Sequence, residues 1–137
     1  MILKSFMIEN NIALLEQYEH VLLYGENEGI KEDIKKKIKE KNKDFEIITL
    51  FQEEILGNKN ILSEQINNSS LFNSKRIIFL HEITDKSFSQ IKECIENKKK
   101  DVGIYIFSPI LEKKSKIRSH FEKDTKLGIV PCYKDNE

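Results

Sequence analysis

The sequence predicts an α/β protein, a five-stranded and mostly parallel sheet with helices on both faces. Short apolar runs at 21–24, 45–51, 76–81, 102–107 and 127–133 are rich in Ile, Val, Leu and Phe, as strands buried on both faces are. Amphipathic stretches lie between these runs and are long enough to cross from one parallel strand to the next. At 137 residues the chain makes one domain, large enough to bury its own core without disulfides or metals.

The elements follow in chain order. Ile12 and Leu15 suggest a short helix before the first strand. After that strand, Ile30, Ile34 and Ile38 recur every four residues, so one stripe faces inward and a lysine-rich face looks out. Two helical pieces fit between the second and third strands, 52–56 and 60–68, broken at Gly57 and Asn58. Phe88, Ile91 and Ile95 form the next stripe, with Thr84 or Asp85 placed to cap its start. Ile117 and Phe121 mark a last helix after Pro109. The polar residues Lys134, Asp135, Asn136 and Glu137 follow a strand directly, and the expectation is the first domain of a longer protein.

Composition narrows the function classes. The 23 basic and 23 acidic residues balance, which gives no global attraction to nucleic acid or membrane. No apolar run approaches the roughly 18 residues that a membrane-spanning helix needs. The first six residues lack the charged head and apolar centre of a signal peptide. Cys94 and Cys132 lie far apart and read as reduced thiols, so a cytoplasmic protein with no membrane partner is expected.

The first apolar run leads into Gly25-Glu26-Asn27-Glu28-Gly29-Ile30-Lys31-Glu32 and then a helical pattern. A nucleoside-triphosphate loop has this strand–loop–helix context and the spacing G-x-x-x-x-G-K-[ST]. Gly25 and Lys31 fall on the first Gly and the Lys of that template. Ile30 takes the place of the second Gly, while Gly29 sits one residue early, and Glu32 stands where a Ser or Thr hydroxyl would hold Mg²⁺. Glu26 and Glu28 bring negative charge to the place of phosphate oxygens, where like charges repel. The loop is a degenerate nucleotide site, and a chain that neither binds nor hydrolyses ATP is expected.

No other constellation supplies a catalytic centre. A phosphate-hydrolysing version of this fold carries a metal-holding Asp at the end of its third strand, and His81 followed by Glu82 stands there. His20, His81 and His120 have no ligand spacing, and neither cysteine has a metal partner nearby in sequence. No G-x-S-x-G nucleophile motif occurs. No catalytic residue, metal site or cofactor is assigned. The lysine runs are interleaved with acids and read as solvated faces. The densest group, Lys113, Lys114, Lys116 and Arg118, is the candidate for contact with a phosphate backbone.

One apolar pair stands out. Ser69-Ser70-Leu71-Phe72 closes the helical piece that holds Leu62 and Ile66, and the turn pair Asn73-Ser74 leads into the third strand. Adjacent residues at a helix end do not face the same way. Leu71 and Phe72 therefore either pack under their own loop or project as an anchor for a partner. A projecting pair would make a compact hot spot, each side chain contributing on the order of 1.5–3 kcal/mol if fully buried.

Several blocks, in order, carry a resemblance. They are Leu22-Leu23-Tyr24-Gly25-Glu26-Asn27-Glu28-Gly29, then Glu53-Glu54-Ile55-Leu56, then Ser69-Ser70-Leu71-Phe72-Asn73-Ser74-Lys75-Arg76-Ile77-Ile78. Pro109-Ile110-Leu111-Glu112-Lys113-Lys114-Ser115-Lys116-Ile117-Arg118 and Pro131-Cys132-Tyr133 complete the set. With these blocks the chain resembles the N-terminal domain of the delta subunit of the bacterial DNA polymerase III clamp loader. The resemblance implies an AAA+-like fold with a degenerate P-loop, in which the first strand lies between the fifth and the fourth. It implies a domain that binds the DNA sliding clamp, the beta subunit, and helps to hold one interface of the ring open during replication. It also implies that the domain has no cofactor and no catalysis of its own.

In that family a Leu-Phe pair enters a hydrophobic pocket on the clamp, and Leu71 and Phe72 match it, with Ser70 before them. Asn67 stands where related motifs often carry Gln; it offers the same hydrogen bonds but reaches one methylene less. The resemblance implies later lid and collar domains, the collar assembling with the other loader subunits, which are expected to lie outside this chain; DNA is a possible partner of the full complex. Two other classes stay open from the residues alone. One is a divergent P-loop enzyme acting on nucleotide or phosphoester. The other is a DNA-binding module built on Lys113, Lys114, Lys116 and Arg118.

Overall fold

A computed structural model describes residues 1–67, 75–96 and 101–134. Its strands are β1 (His20–Tyr24), β2 (Glu46–Phe51), β3 (Arg76–His81), β4 (Val102–Ser108) and β5 (Gly128–Pro131). They form one 5-stranded sheet in the order β2-β3-β4-β1-β5. Every pairing within it is parallel. The expected order holds, with β1 between β5 and β4.

The helices are α1 (Ser5–Asn10), α2 (Glu28–Lys41), α3 (Gln52–Gly57), α4 (Ile61–Asn67), α5 (Phe88–Glu96) and α6 (Lys116–Lys123). Two 3₁₀ segments, Ile12–Gln17 and Asp85–Ser87, precede β1 and α5. None of the described helices is long and apolar enough to cross a membrane.

Strand geometry explains the continuous apolar runs. Side chains alternate between faces, so Val21 and Leu23 enter one core while Leu22 and Tyr24 enter the other. The first core is roofed by Ile8 of α1, Leu15, and Ile34 and Ile38 of α2. The second takes Ile55 of α3, Leu62 and Ile66 of α4, Ile91 and Ile95 of α5, and Ile117 and Phe121 of α6. Because both faces are covered, the sequence shows runs and not alternation.

The two sheet edges differ. Beyond β5 the amino terminus adds a short parallel bridge, Ile2 to Ile129. There Leu3 N–H donates to Ile129 O at 2.8 Å and the terminal ammonium donates to Leu127 O at 2.8 Å. At the other edge, β2 leaves Phe51 43% exposed. The sequence reading missed α1 and this bridge. In α1 only Ile8 is buried, while Phe6 and Met7 face outward, so the segment carries no apolar stripe to detect.

Candidate functional site

The degenerate loop sits where β1 hands over to α2, at the carboxyl ends of the strands, where α/β sheets place their ligands. Gly25 has φ +125°, and a Cβ there would lie 2.1 Å from the Cys132 carbonyl oxygen. Only glycine fits. Its N–H donates to Pro109 O at 3.1 Å, and Asn27 N–H donates to Cys132 O at 3.0 Å. The loop is therefore stitched to the exits of β4 and β5. Asn27 caps α2, its Oδ1 accepting from Ile30 N at 3.1 Å while its amide donates to Tyr133 O at 3.3 Å.

Lys31 is buried, and its ammonium has found three acceptors inside the protein. It donates to Gly25 O at 2.7 Å and Ser108 O at 2.9 Å, and it pairs with Glu28 at 2.8 Å. An ammonium carries three hydrogens, so none is left for a phosphate. Gly29 lies in the first turn of α2, where a Cβ would meet only Asn27 Oδ1 at 3.5 Å. Glu32 is exposed. The Glu26 carboxylate accepts from Lys134 N at 2.8 Å, and that backbone bond holds its pKa below the ordinary value.

His81, at the place of a metal-binding Asp, is built into packing. Its ring stacks on Phe107 at 4.9 Å and 11°, with Phe51 5.4 Å away on the other side. Its Nε2 lies 2.8 Å from Lys35 Nζ. Burial, then the neighbouring Lys35, pushes its pKa down to about 4, so near neutrality the ring is uncharged and Nε2 accepts from the ammonium. Lys35 is lowered in turn by burial and by Lys39. A cavity of about 440 Å³ remains between Lys31, His81, Thr84 and Ser108, but Glu28 and Glu82 also line it. That wall presents carboxylates and a saturated ammonium, a poor reception for a nucleotide. Among the described residues no group of three or more His, Cys, Asp and Glu side chains gathers to hold a metal.

The basic group after β4 divides. Lys113, Lys114 and Lys116 are exposed. Arg118 is committed inward, with Nε 3.0 Å from Glu122 and Nη1 donating to Leu111 O at 2.7 Å. Its guanidinium also covers the Tyr24 ring at 5.0 Å. The amino end of α6 is occupied by the protein's own anion. Asp85 accepts from Lys116 N at 2.9 Å, from Ile117 N at 3.1 Å and from Ser115 Oγ at 2.8 Å. Burial alone would raise this carboxyl, but those bonds hold it below its ordinary value. Of the two expected caps, Thr84 closes the 3₁₀ turn before α5, accepting from Lys86 N at 3.3 Å, while Asp85 reaches across to α6. Local spacing cannot reveal that long-range bond.

At the opposite end of the sheet, Asn67 is the last residue of α4 and is exposed. Ser70, Leu71 and Phe72 lie outside the described residues. A groove of about 600 Å³ runs from Asn67 between α4 and α5, past Asn60, Ser63, Gln90 and Cys94.

Neither a protein-family model nor a curated protein matches the sequence. Comparison with solved structures does find a likeness, the Bacillus subtilis DNA clamp loader delta protein YqeN, at TM-score 0.67 and 13% identity. The chain shares the fold of the matched part of that protein. The match covers 94% of this chain and 42% of the other, so the chain spans less than half the length of its structural neighbour. At this identity the likeness shows fold alone.

Proposed function

We propose that this chain is the AAA+-like N-terminal domain of a clamp-loader delta subunit, a non-hydrolytic adaptor that binds the DNA sliding clamp and helps to open the ring. The observation that carries the reading is Lys31. The cation that would meet a phosphate is spent on Gly25 O, Ser108 O and Glu28, in a fold shared with a clamp-loader delta protein. A domain that keeps the nucleotide architecture and fills it with its own groups works through its surface.

The contact assigned to that surface is Leu71 and Phe72 entering an apolar pocket of the clamp, with Ser70 and Asn67 supplying polar contacts beside them. Asn67 is exposed on the last turn of α4, as such a role requires. In a full loader, further domains would join the other subunits, and the exposed Lys113, Lys114 and Lys116 are the candidates on this domain to meet DNA. Titration calorimetry with the cognate clamp tests the reading. Binding that disappears when Leu71 and Phe72 both become Ala supports it; micromolar binding of Mg-ATP with no affinity for the clamp contradicts it.

A further inference from the structure

One lysine outside the closed loop stands in an unusual setting. Lys35, on α2, is half-buried against β3. Its Nζ lies 2.8 Å from His81 Nε2 and 5.4 Å from the centre of the Phe79 ring. One turn on, Lys39 brings a second ammonium to the same ring at 5.9 Å. An open cleft of about 490 Å³ runs beside them, lined by Gly29, Glu32, Asp33, Lys35, Lys36 and Lys39.

These surroundings work against a charge on Lys35. Burial strips water from the ammonium and Lys39 adds a like charge; Glu32 opposes them but not enough, so the group titrates below its ordinary value. His81, the titratable group facing it from β3, is uncharged near neutrality because its ring titrates at about 4. A lysine that is desolvated and set beside another cation holds a larger share of free amine, the nucleophilic form. The cleft also suits an anionic reagent. Lys36 and Lys39 are exposed in it, and Asp33 is spent on Lys37 at 3.0 Å, which leaves Glu32 to oppose them.

We propose that Lys35 is a modification site, a nucleophilic amine that takes an acyl group from a small acyl phosphate entering this cleft. The nitrogen lone pair forms a bond to the acyl carbon. The bond from that carbon to the phosphate oxygen breaks, and its electron pair leaves with the phosphate. The proton lost from the nitrogen passes along the hydrogen bond to His81 Nε2 and on to water. The product is an uncharged amide. Nothing in this chemistry requires the clamp contact.

Time courses of the whole chain with acetyl phosphate, read residue by residue by mass spectrometry, test the site. Lys35 is expected to gain acetyl about fivefold faster than Lys113, an exposed lysine outside the cleft. Trace labelling with acetic anhydride, an uncharged donor, separates the amine from the cleft. Its pH profile should show the Lys35 amine titrating below the roughly 10.4 of a free lysine, and Lys39→Gln should move that profile up. The lead of Lys35 over Lys113 should be smaller with the anhydride than with acetyl phosphate; an equal lead overturns the choice of an anionic donor. Lys35 reacting no faster than Lys113 with either donor, or titrating as a free lysine does, overturns the site.

Discussion

Lys31 and Arg76 are buried cations at opposite ends of the same parallel sheet, and each ties separate pieces of chain together. Lys31 spans the exits of β1 and β4 through Gly25 O and Ser108 O. Arg76 spans the starts of β2 and β3 and the end of α4 through Glu46 and Gln65 O. The first tether fills the place where this architecture would receive a ligand. The second joins three elements by their backbone and side chains and fills no pocket. A buried cation can thus fill a pocket or brace separate elements, and its acceptors tell which: saturation by adjacent backbone closes a pocket, while a fork between separate elements sets their spacing.

The closed end can be broken most severely at Gly25. Gly25→Ala forces a Cβ to within 2.1 Å of Cys132 O at φ +125°. It is expected to cost about 2–5 kcal/mol from backbone strain and displacement of the strand exits, read as a urea midpoint. Lys31→Met comes next. It leaves the Gly25 and Ser108 carbonyls without their donor, an expected loss of about 1–3 kcal/mol. Glu28 is largely exposed and adds little once its partner is gone. The variant is still expected to give no heat with Mg-ATP, since removing the plug supplies neither a phosphate donor nor a metal ligand.

Asp85→Ala is smaller, about 1 kcal/mol at neutral pH, as for a lost helix cap. Because the folded carboxyl titrates below its ordinary value, its contribution is present above the unfolded pKa of about 3.9 and disappears as pH falls through the folded one. The wild-type and Asp85→Ala midpoints should therefore converge in acid. The smallest effect is a slope. His81 titrates near 4 when folded against about 6.5 when unfolded. Between those values the unfolded chain binds the extra proton, so stability rises with pH across the window. His81→Phe should flatten that rise, and an imidazole that titrates near 6.5 in the folded wild type by NMR would contradict the stacking account.

Much of the sheet was legible in the sequence. β3 was read with the bounds it has, since every residue from Arg76 to Leu80 is buried and no polar position interrupts the run. The stripe Ile30, Ile34 and Ile38 placed α2. The loop template put Lys31 in register but could not say what Lys31 touches, because Ser108 O is 77 residues away. Asp85 and Arg76 were missed as organisers for the same reason. Their partners, Ser115, Ile117, Glu46 and Gln65, become neighbours only when the crossovers close. Arg118, one of the candidates for contact with a phosphate backbone, also has partners that spacing did not show, because Glu122, one turn on, and Leu111 O take its fork.

The central claim is that this chain meets its partner through an apolar pair while its nucleotide corner stays closed. The most direct measurement takes the Leu71→Ala, Phe72→Ala double variant and determines clamp affinity by calorimetry and a urea midpoint on the same preparation. The account expects binding to weaken by several kcal/mol, as for a desolvated hot spot, with the midpoint shifting far less than the roughly 2–5 kcal/mol of a core Leu→Ala change. A collapse of stability in the variant, together with a wild-type chain that has no affinity for the clamp, would contradict it.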